Sequence, residues 1–475
     1  MPVRALSIHG HFYQPPREDP TSGLIPSEYG ASPYRNWNER IHAECYLPNA
    51  KLGNFEKISF NIGPTLFSWM NSYDPSAICL IVAQDRANQQ QYGVGNAIAQ
   101  AYNHTILPLA SREDKITQVA WGIADFEHQY GRKPIGMWLP ETAADMETLN
   151  ILAEYGIEFT IMAPWQAECD QLDVTEPYRV ALSAGKSISV FFYHQGLSSG
   201  VSFNPNLTIN ADDFVRNHLL PSFLDEKARR GEPQLVLIAS DGELYGHHQH
   251  FRDRFLAHLV NGASISAGLE KSYPALWLKN YPPQHWVSIK ECTSWSCQHG
   301  IERWKGDCDC TPGDGRWKGY LRQAFNRLVY QLDQVYTENM TLLNIDPWKL
   351  RNAYIHVMLG HLSAEELIYQ YAGRRLGSET VRKVQLLLEV QRERQRIFTS
   401  CGWFFDDFSR TEPKNNIAYA AQAVRLTYMA SGVNLSESFK ADLHYVASRR
   451  TRLRGDKVFE KEMQKTLPVN LFQQL

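Results

Sequence analysis

Two short segments of this chain end in carboxylates placed for covalent chemistry. Residues 235–248 read L-V-L-I-A-S-D-G-E-L-Y-G-H-H, an apolar run that stops at an acidic, glycine-broken, histidine-rich tip. Residues 135–141, I-G-M-W-L-P-E, have the same shape and stop at Glu141. Buried parallel strands carry chemistry at their carboxyl ends. Two such ends facing one substrate would supply a general acid, Asp241, and a nucleophile, Glu141, the minimum for breaking a glycosidic bond. Burial or a neighbouring carboxylate would keep Asp241 protonated at neutral pH, while Pro140 would help hold an ionised Glu141 still against an anomeric carbon. Gly242 lets the chain turn, and Glu243, His247 and His248 could orient sugar hydroxyls or tune Asp241. Each carboxylate also has a structural alternative: Asp241 as a helix cap, and Glu141 as a first-turn glutamate favoured by the helix dipole.

Two further groups have chemical potential. His9 and His11 follow the first apolar run in H-G-H-F-Y-Q-P-P. Two apart in an extended segment, they share a side, where they could ligate a metal or hydrogen-bond a sugar; one buried and one exposed structural histidine is the alternative. Residues 291–310 hold half of the eight cysteines. Cys297, His299, Cys308 and Cys310 form a candidate structural zinc set, although C-x-H and C-x-C are not standard zinc spacings; a disulfide, redox use or unrelated thiols compete with it. Trp295, His299 and Trp304 could instead line a sugar subsite.

The elements that must position these groups alternate. Strands are expected at 5–8, 57–61, 105–109, 134–138, 158–162, 187–193 and 234–240, with helices at 113–130, 143–155 (Gly156 as its C-terminal stop) and 212–230. Such alternation implies an α/β fold with a parallel sheet and helices outside it. About seven strands favour a closed or nearly closed barrel over an open doubly wound sheet. Beyond residue 268 the pattern changes: a Pro- and aromatic-rich connector at 273–284, one more strand at 286–290, a loop at 293–319, then helices at 320–339, 348–360, 364–371, 378–399, 416–431 and 435–448. The expected domains are a barrel at 1–270, a connector and Cys/Trp-rich loop at 271–319, and a helical domain at 320–475. The arginines of 449–454 read as a solvated face.

Composition narrows the partners. A net charge of −3 gives no basic footprint for nucleic acid. No apolar run is long enough to span a bilayer, and the first residues lack a secretory pattern, so a cytoplasmic location is expected. Eight cysteines in 475 residues make no disulfide framework. Twelve Trp and 23 Tyr offer flat rings for stacking on sugars, or simply core volume.

In order, H-x-H-x-x-Q-P, W-L-P-E and S-D-G-E-x-x-G-H-H resemble glycoside hydrolase family 57 over roughly residues 5–305, and the helical remainder resembles an uncharacterised domain that follows the catalytic region in a subset of that family. The resemblance implies an incomplete (β/α)7 barrel followed by an all-α domain, and a retaining enzyme acting on α-linked glucans as amylase, 4-α-glucanotransferase or branching enzyme. It implies Glu141 as nucleophile and Asp241 as acid/base. It also implies substrate contacts at His9, His11 and Gln14, with Trp138 and Glu243 around the scissile bond; His248, Trp295, His299 and Trp304 join them as expected lining. No cofactor is required for that chemistry. The family's second motif usually brings a carboxylate, whereas residues 59–65, S-F-N-I-G-P-T, have none. Competing readings are a metal-dependent α-mannosidase-like or deacetylase-like enzyme using His9 and His11, and a non-catalytic glycan-binding protein. Linkage preference and oligomeric state are not encoded in any of these motifs.

Overall fold

The computed structural model describes residues 3–465; the end of the expected helical domain, 466–475, lies outside them. The chain forms two compact units. The first comprises the residues up to Gln14, Ser27–Tyr102 and Phe126–Trp295; the second comprises Pro15–Pro26, Asn103–Asp125 and the described chain from Ser296 on. The division therefore does not follow a single cut near residue 270.

Among the described residues, ten strands build the first unit: β1 (Arg4–Phe12), β2 (Ser59–Ile62), β3 (Ala99–Gln100), β4 (Met137–Trp138), β5 (Phe159–Met162), β6 (Tyr178–Ala181), β7 (Ser187–Phe192), β8 (Gln234–Asp241), β9 (Glu270–Lys271) and β10 (His285–Trp286). β1 runs parallel to β8, β2 and β9. β3 pairs with β4, and β5 with β7, also in parallel. Single parallel bridges, Phe60 to Ala97 and Gly136 to Phe159, connect these sets. The His194 amide donates to the Leu237 carbonyl at 2.7 Å, joining the end of β7 to β8. Parallel neighbours thus run β8, β1, β2, β3, β4, β5, β7, while β6 lies antiparallel on β7 and carries β10.

The period of two along each strand decides what faces inward. Ala5 on β1, Phe159 and Ile161 on β5, Phe191 on β7, and Leu235, Leu237 and Ala239 on β8 belong to one apolar cluster with Trp138. Continuing the same alternation brings His9 and His11 on β1 and Asp241 on β8 to that inner face. The cluster is apolar where the strands begin and polar where they end, so each strand buries its body and presents its chemistry at the carboxyl tip.

Several expected elements differ. Residues 105–109 are not a strand: Pro108 sits in a 3-10 turn, Leu107–Leu109, and the sheet position falls to β3. That strand is two residues in an alanine-rich stretch, held by its neighbours rather than by β-propensity. The helix expected at 212–230 breaks around Pro221 into Ala211–Phe214, a wider turn, and Asp225–Arg230. The connector at 273–284 contains a helix, Pro274–Asn280, whose Ala275 and Trp277 join the inner cluster.

From Ser296 on, the regular elements among the described residues of the second unit are helices, chiefly Arg316–Leu342, Ser378–Arg396 and Thr411–Ser431. Asp114 is buried in this unit against Arg394 Nη1 (2.5 Å) and Arg351 Nη1 (3.1 Å). Although burial alone would raise its pKa, the two guanidinium groups hold it down to about 2. Asp114→Ala leaves both cations without this partner, and a loss of about 3–5 kcal/mol is expected in chemical denaturation. In the expected solvated face, Arg450 is exposed and Arg454 half-exposed, and they pair with Asp406 and Asp456 at 2.7 Å.

Candidate active site

Strand register sets the floor of the site. His11 lies opposite Asp241 on β8 and Asn61 on β2, and His9 lies opposite Ala239 and Ser59. His9 is fully buried; its Nε2 lies 3.1 Å from Asn61 Oδ1 and its Nδ1 lies 2.9 Å from Ser59 Oγ. The Asn61 amide nitrogen is 3.0 Å from His11 Nδ1 and donates to Gln100 Oε1 at 2.7 Å. Both imidazoles stack on the Trp138 indole, with centroids at 4.7 and 5.0 Å. Burial pushes both histidines down to about 3, so the floor is neutral at ordinary pH. A neutral His9 donates from Nε2 to Asn61 and accepts the Ser59 hydroxyl at Nδ1.

Glu141 stands on a strained turn. Its φ and ψ are 58° and 22°, and Thr142 follows at φ 49°. Two successive non-glycine residues in the left-handed region cost about 1–3 kcal/mol each, and such strain persists only when surrounding contacts over-determine it. Those contacts are present. Thr142 N–H donates to the Leu139 carbonyl at 2.8 Å, and Thr142 Oγ1 donates to Gln166 Oε1 at 2.8 Å. Gln166 Nε2 in turn donates to the carbonyls of Thr142 (2.9 Å) and Thr293 (3.0 Å). Trp295 grips Glu141 twice: its amide donates to the Glu141 carbonyl at 3.0 Å, and its indole Nε1 donates to Oε2 at 2.9 Å. The next helix, Met146–Glu154, is capped by Asp145, which accepts from Thr148 N–H at 2.8 Å. Glu141 is therefore outside that helix, and the first-turn alternative fails.

Asp241 ends β8 and makes no capping hydrogen bond to the turn that follows it. Asp241 is exposed at the strand tip, next to the buried Ser240. Desolvation, and then the Glu141 charge, raise it to about 7. Glu243 is buried, accepts from Tyr13 N–H at 3.0 Å and Tyr46 OH at 2.7 Å, and is raised to about 8, chiefly by burial. Gly242 between them is required by space: an added Cβ would lie 2.4 Å from the Phe12 ring.

The structure thus gathers Glu141, Asp241, Glu243, His9, His11, Trp138 and Trp295, all within the first unit. Gln14 hydrogen-bonds Tyr46 through its side chain. His248 is exposed and rests against His247, which Glu44 holds at 2.6 Å. Three expectations change. Trp138 is fully buried, and its face is taken by the two imidazoles, so it supports the floor rather than stacking on a sugar. Both nitrogens of His9 are engaged by Ser59 and Asn61, so His9 positions other groups rather than donating to substrate. Trp304 is fully buried in the second unit, where its carbonyl accepts from Arg322 at 2.8 and 3.1 Å, so it offers no face to a ligand. His299, also in the second unit, is exposed and lies against two cysteine sulfurs. Among the described residues, the one grouping of three or more metal-binding side chains is Cys297, His299, Cys308 and Cys310; His9 and His11 do not converge with acidic groups on a common point.

Sequence reasoning missed Asn61, Gln166 and Tyr46. Asn61 occupies the end of β2, where a carboxylate was sought. Gln166 follows β5 in M-A-P-W-Q, a strand end with proline that echoes W-L-P-E. Tyr46 lies in a helical turn, His42–Tyr46, that carries no strand-end signal.

Residues 28–272 match the model of Glycosyl hydrolase family 57, and residues 314–469 match that of a domain of unknown function (DUF3536). A 1,4-alpha-glucan branching enzyme of Thermococcus kodakarensis is 29% identical over 120 residues, covering 25% of this chain and 18% of that protein. An alpha-amylase of Pyrococcus abyssi is 22% identical over 193 residues, covering 40% and 27%. The matches thus span under a third of the length of these curated relatives. Among solved structures, an exo-type maltose-forming amylase from Pyrococcus sp. ST04 superposes with a TM-score of 0.73 at 16% identity, covering 98% of this chain and 89% of that one. A branching enzyme of the same family type from Pyrococcus horikoshii gives 0.61 at 15% identity, with 98% of each chain covered. At these identities the likeness is one of fold.

Proposed function

The chain belongs to glycosyl hydrolase family 57, and from that premise we propose that it is a retaining enzyme acting on α-linked glucans, with Glu141 as nucleophile and Asp241 as acid/base. In this reading the seven parallel neighbours of the first unit form an incomplete (β/α)7 barrel, the catalytic domain, and the helices after it form an all-α domain. The observation that carries the reading is the electrostatic pairing of the two carboxylates. Asp241 is raised to about 7 by desolvation and by the Glu141 charge, and the Trp295 indole donates to Glu141 Oε2 at 2.9 Å.

The cycle follows from that pairing. Asp241 delivers its proton to the leaving glycosidic oxygen as Glu141 Oε attacks the anomeric carbon and forms a β-glycosyl ester. Esterification removes the Glu141 charge that had helped raise Asp241, so Asp241 becomes a stronger acid and stays ionised. As a carboxylate it then takes the proton from an incoming hydroxyl. Water as acceptor gives hydrolysis, and a glucan hydroxyl gives transfer. Glu243, protonated at neutral pH, adds no charge beside this exchange. The relatives carry the names amylase and branching enzyme, which directs the proposal to glucans. No step calls for a cofactor. No described helix is long and apolar enough to cross a membrane.

Incubation with maltooligosaccharides and amylose tests the substrate. Shorter products indicate hydrolysis, longer ones transfer, and new branch points branching; an unchanged profile on every α-glucan would defeat the substrate assignment. Trp295→Phe keeps the ring and deletes the indole donor. A hydrogen bond to a charged group is worth about 1.5–3 kcal/mol, so kcat/KM should fall by roughly 10–100-fold, with an unchanged circular-dichroism spectrum.

A further inference from the structure

We infer that Cys297, His299, Cys308 and Cys310 form a structural zinc centre within the second unit. One donor atom from each of the four residues lies within 4.8 Å of all the others. Cys297 Sγ and Cys308 Sγ are 3.7 Å apart, and His299 Nδ1 is 3.3 Å from Cys308 Sγ and 3.4 Å from Cys310 Sγ. Zinc bonds of about 2.3 Å to sulfur and about 2.0–2.1 Å to nitrogen, set tetrahedrally, give edges of about 3.8 Å between sulfurs and about 3.6 Å between sulfur and nitrogen. These three spacings lie within about 0.3 Å of those edges, and the remaining pairs fall within 4.8 Å.

A disulfide explains the cluster less well. It would join two of three thiols and leave the third, and His299, drawn in without a purpose; the sulfurs of Cys297 and Cys308 also stand well beyond the roughly 2.05 Å of an S–S bond. Three thiolates and an imidazole are soft donors that select zinc over calcium or magnesium. Four protein ligands fill the tetrahedron, which makes the site structural rather than catalytic.

The surrounding chain has the need such a site meets. Between Ser296 and the helix Arg316–Leu342, the only regular element is a three-residue turn, Glu302–Trp304. Loops of this length with so little structure are uncommon in compact domains. Polar contacts already shape its frame: Arg303 Nη2 donates to the Cys310 carbonyl at 2.8 Å, and Gly315 N–H to Asp307 Oδ1 at 2.9 Å. A metal would tie the two ends of the C-x-H and C-x-C segments across eight intervening residues. Each thiol would release its proton to solvent on binding, making affinity fall as pH is lowered.

Metal analysis of the full chain, purified without chelator or affinity metal, tests the proposal. About one zinc per chain is expected, released by a thiol-blocking mercurial and lost in Cys308→Ser. Replacement by cobalt should give the visible bands of a tetrahedral site together with thiolate-to-cobalt charge transfer. His299→Ala, at an exposed position, guards against misfolding: it should bind metal more weakly while keeping the helical spectrum. Cys79→Ser and Cys169→Ser, both distant in sequence and exposed, should leave the stoichiometry unchanged. A stoichiometry near zero with no cobalt spectrum, or metal retained in the Cys308→Ser and Cys310→Ser double variant, would overturn it.

Discussion

Glu141→Ala is expected to reduce turnover of an α-glucan by roughly 10⁴–10⁶-fold, as when a unit nucleophile is removed from an enzyme. KM should change little by comparison, because the sugar is held by other groups. Azide should restore part of the activity on a substrate with a good leaving group, since it fits where the carboxylate stood and attacks the anomeric carbon itself. The rescued product should be the β-glycosyl azide, formed from the α-glycoside in one inversion. Chemical rescue separates a nucleophile from a residue that merely supports the turn. Gln166→Ala would also disturb Glu141, through Thr142 and Thr293, but azide has no missing carboxylate to replace there.

Asp241→Asn should lower kcat/KM by roughly 10²–10⁴-fold on unactivated glucans, the range for loss of a positioned acid. The pH profile carries the sharper signature. Asp241 works in its protonated form, which is present below its pKa and lost above it. With that value raised to about 7, kcat/KM of the wild type should decline above about pH 7. This limb should vanish in Asp241→Asn. On an aryl glycoside whose leaving group needs no proton, the variant should form the glycosyl-enzyme at nearly the wild-type rate and then stall. A retained alkaline limb in the variant would move the acid role elsewhere, to Glu243 first, since that carboxyl is raised to about 8.

The carboxyl ends of β1, β4 and β8 were legible because chemistry and periodicity coincide there. An apolar run that ends in Asp241, or in Trp138 and then Glu141, marks both a buried strand and the group it presents. Asn61 was harder to see, since an amide at the end of a four-residue strand looks like turn composition until His9 and His11 converge on it. β3 was invisible for a physical reason: Ala99 and Gln100 have little β-propensity, and their conformation is imposed by strands on either side. Residues 105–109 misled in the opposite way, being apolar enough for a strand but carrying Pro108. Trp138 and Trp304 show the limit of reading aromatics as sugar platforms. One is consumed by stacking with two imidazoles and the other by burial near Arg322, and sequence cannot separate an inward ring from an exposed one.

Trapping of the glycosyl-enzyme tests the central claim most directly. Asp241→Asn, given an α-glucosyl donor with a fluoride leaving group, should accumulate a covalent adduct whose mass corresponds to one added sugar residue. Peptide mapping should place that sugar on Glu141. A sugar carried by another side chain, or steady turnover with inversion of configuration and no adduct at all, would contradict the double displacement on Glu141.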